Sequence, residues 1–277
     1  MLNTVGLPIR EGEFVTLVGP SGCGKSTLLR LILGVQEPNE GVVYLDGKAV
    51  DGLGPDRGVV FQRYSLFPNL TVAENIAMGP ILAETTLLEG WFKTKHYKSV
   101  RKRALADARD LILRVGLTLD EADKYPVQLS GGQRQRVAIA QALLMKPKIL
   151  LMDEPFGALD VNTRLDMQLL ILEQWEQENM TIIFITHDLD EAVYLGTRII
   201  GLSQYHAGDE GAKIVTDFKP DGEHPKPSSW RESAEFHEIV SRVQRDVLDP
   251  NYRQHESEFN HNHEDAWRPS NGGEKHG

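Results

Sequence analysis

The 277-residue sequence predicts an α/β fold on a mostly parallel sheet, with a helical subdomain inserted between sheet strands. Three observations predict it. A glycine-rich turn at 19–24 joins an apolar, β-branched run to an amphipathic helix. Wholly apolar runs recur at 149–152 (ILLM) and 181–185 (TIIFI), as expected of parallel strands covered on both faces. Between the first strands and these later ones, residues 72–145 read as mostly helical.

In chain order, 14–18 (FVTLV) reads as a buried strand. Lys25, Ser26 and Thr27 open a helix whose Leu28, Leu29, Leu31, Ile32 and Leu33 bury it, and Gly34 stops it. Segments 42–46 (VVYLD) and 58–61 (GVVF) read as strands between Gly/Asp/Pro turns. Thr71 and Glu74 have the capping-box spacing, so a helix begins near Val72. Leu105, Ala108, Ile112 and Val115 give 99–115 a helical period, with Gly116 as the stop. Ser130 caps a further helix through Val137, Ala140 and Leu144, with Pro147 beyond its end. Residues 165–178 form another helix. This gives a main domain over 1–220 and a C-terminal extension over 221–248, whose Phe236, Ile239, Val240, Val243 and Val247 repeat at helical spacing. The Pro, His, Ser and Asn composition of 249–277 predicts a poorly ordered tail.

Composition narrows the function classes. A hydrophobic content of 40% supports a real core, while a net charge of −10 argues against a nucleic-acid binder with a broad basic face. One cysteine excludes an internal disulfide and suits a reducing compartment. The sequence shows no signal peptide and no run of 18 apolar residues, so any membrane role is expected to come through a partner.

The chemistry starts at the glycine-rich turn. Gly19, Pro20, Ser21, Gly22, Cys23, Gly24, Lys25, Ser26 and Thr27 (GPSGCGKST) form a complete phosphate-binding loop in its strand-turn-helix setting, which marks a P-loop NTPase core. Glycines let the backbone wrap an anion, so that successive N–H groups and the positive helix end point at phosphate. Lys25 would reach the β- and γ-phosphates, and the Ser26 hydroxyl would ligate Mg²⁺. The strand at 149–152 runs into Asp153 and Glu154. Asp153 is placed to hold Mg²⁺ through water, and Glu154 can act on an attacking water as base or orienter. Alone, the pair could equally be two solvated acids at a turn.

With further stretches the sequence resembles the nucleotide-binding subunit of ATP-binding cassette (ABC) transporters over residues 7 to about 205. The matching pieces are the phosphate loop, Gln62 after VVF, LSGGQRQR from Leu129, LLMDEP, GALD ending at Asp160, and ITHD containing His187. The resemblance implies two copies paired head to tail around ATP, each nucleotide held by the phosphate loop of one copy and by Ser130, Gly131, Gly132 and Gln133 of the other. It also implies that His187 contacts the γ-phosphate, that Gln62 ligates Mg²⁺ and senses that phosphate, and that Asp160 acts across the dimer. In the family, the loop after Gln62 receives a short helix of the membrane-spanning permease. Tyr64, Leu66 and Phe67 are the expected lining.

PDRGVVFQ and FPNLTVAENIAMG resemble the importer branch for nitrate, sulfonate, taurine, urea or bicarbonate. That branch implies a periplasmic solute-binding protein and a place on the cytoplasmic face of the inner membrane. An exporter, a lipid-trafficking cassette or a non-transport cassette are the alternatives. Family members also carry an upstream strand with an adenine-stacking aromatic residue. Residues 1–13 contain none, so another group would hold the adenine, or the natural chain begins earlier. The connection from Gly79 to Gly116 is long for the family and holds Trp91, Phe92, His96 and Tyr97 among Lys93, Lys95 and Lys98. A local hydrophobic staple is the expectation there, ahead of a membrane or partner contact. Cys23 could be a thiolate in the positive field of its loop, although a small side chain suits the turn. His261, His263, Glu264 and Asp265 have no diagnostic metal spacing.

Overall fold

A computed structural model describes residue 2 and residues 5–62, 65–203 and 211–248. In chain order the elements are β1 (Phe14–Val18), α1 (Lys25–Leu33), β2 (Tyr44–Leu45), β3 (Lys48–Ala49), β4 (Arg57–Val60), α2 (Val72–Glu84), α3 (Leu87–Phe92), α4 (Lys95–Arg114), α5 (Gly131–Leu144), β5 (Ile149–Asp153), α6 (Val161–Glu178), β6 (Thr181–Ile185), α7 (Leu189–Leu195), β7 (Arg198–Leu202), β8 (Ile214–Phe218) and α8 (Ala234–Leu248). The chain divides into two compact units, residues 1–28 with 185–277 and residues 29–184.

In the first unit β1 is buried along its whole length, as its apolar run requires. It pairs in parallel with β7, Val15 opposite Arg198 and Val18 opposite Gly201. The antiparallel β8 follows β7. Arg198 is wholly buried on this pair of strands. Its Nε and one terminal nitrogen donate to the two Asp217 carboxylate oxygens, both at 2.7 Å. Its other terminal nitrogen donates to Pro8 O at 2.6 Å and Glu13 Oε2 at 3.3 Å. The guanidinium therefore knits β7, β8 and the N-terminal segment together through charge-assisted bonds. The expected C-terminal helix is present as α8. It buries Phe236, Val243 and Val247, the last so close to β7 that a Cβ at Gly201 would lie 2.3 Å from it. The elements α7, β7 and β8 come in addition to those expected from sequence.

In the second unit β4 and β5 pair in parallel, Arg57 opposite Ile149 and Val60 opposite Met152. The run 42–46, expected as one strand, is instead half of a hairpin. Only Tyr44 and Leu45 pair, antiparallel to Lys48 and Ala49. Asp46 and Gly47 turn between them with φ of 50° and 73°, and an Asp-Gly dipeptide favours that two-residue turn over continued extension. The helical insertion forms as expected. Its core is Val72, Ile76, Ala77, Ala108, Ile112, Val137, Ile139 and Ala140, all buried. Thr71 and Glu74 close the predicted capping box.

Two helices start about a turn earlier than their apolar period suggests. Thr94 accepts from Tyr97 N and starts α4 at Lys95, while Asp160 accepts from Thr163 N and starts α6 at Val161. The helix α3 was not foreseen, and the staple expected near it does not form, because Trp91 and Phe92 are exposed. The tail over 249–277, with His261, His263, Glu264 and Asp265, lies outside the described residues.

Candidate nucleotide site

The phosphate loop leaves β1 and enters α1 within the first unit. Gly22 and Gly24 have φ of 83° and 103°, which side chains rarely adopt, and these turns let the loop curl. Gly19 answers a second demand, since a Cβ there would meet Cys23 Sγ at 2.8 Å and Leu202 O at 2.9 Å. Lys25 reaches back over this curl. Its Nζ donates to Gly19 O at 2.6 Å and Pro20 O at 3.0 Å. The loop thus has the shape and the cation to receive a polyphosphate. Pro20 and Thr27 are half-buried, while Ser21 and Ser26 are exposed. Cys23 corrects the thiolate idea. Burial pushes its pKa up and outweighs the opposing pull of Lys25, so the thiol stays protonated at neutral pH.

His187 follows β6 and is exposed. Its neighbours are held tightly. The buried Thr186 donates its hydroxyl to Glu191 Oε2 at 2.8 Å and accepts from Asp188 N at 3.0 Å. Asp188 caps α7 by accepting from Glu191 N. The backbone carrying the imidazole is therefore pinned on both sides. Thr186 and Glu191 were not singled out in sequence, although Asp188 three residues before Glu191 is a capping signal.

In the second unit Asp153 ends β5 half-buried, and Glu154 takes φ of 47°. A left-handed glutamate stores strain on the order of 1 kcal/mol, and such strain persists where surroundings hold it. One partner is Gln62, whose Nε2 donates to Glu154 Oε2 at 3.0 Å across 92 residues of chain. Gln135, buried on α5, donates to Phe61 O at 3.5 Å just before Gln62. Two residues expected to share a site, Gln62 and Glu154, are thus brought together.

Ser130 caps α5, and its capping box is closed at both ends. Gln133 N donates to Ser130 Oγ at 3.2 Å, and Ser130 N donates to Gln133 Oε1 at 2.8 Å. Gln133 Nε2 in turn donates to Glu121. Burial works against the Glu121 carboxylate, but hydrogen bonds from the Thr118 N–H and hydroxyl outweigh it, with help from Lys124 and Arg136. Its pKa therefore falls below the ordinary value. Sequence reasoning missed Glu121, which no local spacing links to Gln133. Gly131 has open space where a side chain would point, and a Cβ at Gly132 would lie 3.2 Å from Ala158 O. The α5 N-terminus thus packs on the 157–160 turn. Asp160 at the end of that turn is exposed, and hydrogen bonds from Thr163 lower its pKa.

Ser26, Gln62 and Asp153 offer a hydroxyl, an amide carbonyl and a carboxylate. Such hard oxygen donors fit Mg²⁺, which characteristically shares its shell with phosphate and water. The Gln62 amide nitrogen is engaged by Glu154, so its carbonyl is the group to offer an ion.

A glycine-rich loop curled between a strand and a helix, with a lysine reaching back over it, and an α/β core together define a phosphate-loop nucleotide-binding protein. The "ABC transporter" family model matches residues 2–157, and the chain belongs to that family as an ATP-binding, ATP-hydrolysing subunit. It is 41% identical to the nitrate import ATP-binding protein NrtD of Synechocystis, over 83% of this chain and 80% of that one. It is 48% identical to the bicarbonate transport ATP-binding protein CmpC of Synechococcus elongatus, over 78% of this chain and 31% of that longer one. Among solved structures, the ATP-binding cassette MJ0796, in a dimeric post-hydrolysis state bound to ADP and Pi, matches at 36% identity with a TM-score of 0.65. That match covers 80% of this chain and 91% of that one. No helix among the described residues is long and apolar enough to cross a membrane.

Proposed function

We propose that the chain couples ATP hydrolysis to import of a small solute through a separate permease. The carrying observation is the 3.0 Å bond from Gln62 to a left-handed Glu154, which pre-positions a carboxylate beside a polar sensor. In this reading residues 1–220 form the nucleotide-binding domain, with the helical subdomain over 72–145 and α8 in the 221–248 extension.

The backbone N–H groups that 19–24 carries at every position but Pro20, together with Lys25, bind the ATP phosphates, and Thr27 continues the helix N-terminus behind Ser26. Ser26, Gln62 and Asp153 would hold Mg²⁺, which when bound would neutralise phosphate charge. Glu154 orients the attacking water or takes its proton, and His187 donates to the γ-phosphate. The water oxygen bonds to that phosphorus as the bond to the β-bridging oxygen breaks, giving ADP and phosphate. A second copy supplies Ser130, Gly131, Gly132 and Gln133 to the γ-phosphate. The α5 N-terminus suits this through its oriented amides and the absence of side chains on the two glycines. Asp160 acts across the same pairing. The dimeric state of MJ0796 supports this arrangement.

The relatives named for nitrate and bicarbonate support a small planar oxyanion as solute. The implied partners are transmembrane permease subunits and, indirectly, a periplasmic solute-binding protein, which puts the chain on the cytoplasmic face of the inner membrane; no nucleic acid is involved. Leu66 and Phe67, half-buried and exposed, would meet the permease; Tyr64 lies outside the described residues.

The test compares ATP turnover by the chain and its Glu154→Gln variant, alone and with the permease, with sizing in ATP. Loss of turnover together with an ATP-trapped dimer is expected. Turnover by Glu154→Gln equal to the parent's would overturn the role of Glu154, and a monomer under all conditions would overturn the sandwich.

A further inference from the structure

Among the described residues, the short helix α3 carries an uncovered apolar face. Leu88, Trp91 and Phe92 are 70%, 83% and 73% exposed, and their i, i+3, i+4 spacing puts them on one side of the helix. Their exposure is built in. Thr86 accepts from Glu89 N and donates to its carboxylate, closing a capping box at the start of α3. At its other end Thr94 N donates to Glu89 O at 3.2 Å, while His96 Nε2 on α4 meets Glu84 O at the end of α2 at 3.1 Å. Tyr97 packs at Gly90, where a Cβ would lie 3.5 Å from its ring. These contacts hold α3 between α2 and α4, with Trp91 and Phe92 exposed.

Charge separates this face from an ordinary exposed patch. Between Gly90 and Ala106 there are six Lys or Arg residues and no Asp or Glu, in a chain of net charge −10. Arg101 and Arg103 are paired to Glu74 and Glu84. Lys95, Lys98 and Lys102 are exposed and recur at i, i+3 and i+7 along one side of α4. An exposed tryptophan and phenylalanine followed within a few residues by a row of exposed lysines is the chemistry of the interface of an anionic bilayer. The rings sit at headgroup depth, and the ammonium groups lie over lipid phosphates.

We propose that α3 and the first turns of α4 dock on an anionic lipid surface. The contact is a direct one, independent of the permease and of the transport reading.

Flotation of the full chain with vesicles tests it. Binding to phosphatidylcholine vesicles mixed with phosphatidylglycerol is expected, with none to phosphatidylcholine alone and with weakening as salt rises. The double variant Trp91→Ser, Phe92→Ser should bind about tenfold more weakly or worse. The triple variant Lys95→Gln, Lys98→Gln, Lys102→Gln should lose the preference for phosphatidylglycerol. Both should keep the parental ATPase rate, which shows that they fold. Failure of the parent to float with phosphatidylglycerol vesicles at low salt overturns the proposal, as does equal flotation of the variants. Capture by detergent-solubilised permease that these substitutions abolish, without vesicle binding, assigns the face to a protein and also overturns it.

Discussion

Asn75 shows how much one side chain can hold. Wholly buried on α2, it accepts from Phe67 N at 2.8 Å and donates to the carbonyls of Phe67, Leu70 and Thr71. The turn after Gln62, where the permease is proposed to bind, is tied to the helical core through this amide. Asn75→Ala should lower unfolding stability by about 1–3 kcal/mol, because it strands buried backbone groups, and urea denaturation will measure it. If the loss is only a few tenths, the turn is held elsewhere. Glu154 is the opposite case, a residue whose left-handed backbone stores strain at its proposed catalytic position.

At the scale of elements, β7 and β8 are joined by the buried, bidentate Arg198–Asp217 ion pair. Truncating Asp217 to Ala leaves the Arg198 guanidinium buried without its bidentate partner. A loss of about 3–5 kcal/mol is expected in thermal or urea unfolding of Asp217→Ala. The segment between β8 and α8 has its own pH response. Burial, with Lys226 second, lowers the His224 pKa from 6.5 to about 4, and a hydrogen bond with the Gly196 backbone only partly opposes this. The neutral imidazole is therefore favoured in the folded chain. Its contribution is fully present above pH 6.5 and is lost as pH falls to about 4, as the unfolded chain takes a proton that the folded one refuses. The effect is at most about 3 kcal/mol. His224→Gln should flatten the acid limb of a stability-against-pH curve in that window. An unchanged limb would place the acid sensitivity in other groups.

For the whole molecule, the proposed pairing makes each nucleotide site composite. A Lys25→Ala chain and a Ser130→Arg chain should each be nearly inactive. When mixed they should regain part of the parental turnover, because one of the two composite sites in the mixed dimer is intact. Steady-state ATPase assays across mixing ratios check this, and a mixture no better than its parts would argue for sites complete within one chain.

What the sequence determined by itself is what lies within one turn of chain. The loop 19–27, the acidic end of β5 and the Ser130 cap were legible because phosphate binding and capping need fixed residues at fixed short spacing. The Asp46-Gly47 turn and the Asp160 cap carried equally local signals, which the apolar periodicity overshadowed. Only the tertiary structure decided the rest. The bond between Gln62 and Glu154 spans 92 residues, Glu121 reaches Gln133 from a separate turn, and Arg198 finds Asp217 on a neighbouring strand. It likewise turned Trp91 outward, where composition suggested a local staple. Such partners are chosen by where burial leaves a polar group or an apolar ring with somewhere to go, and that depends on the packed chain rather than on spacing along it.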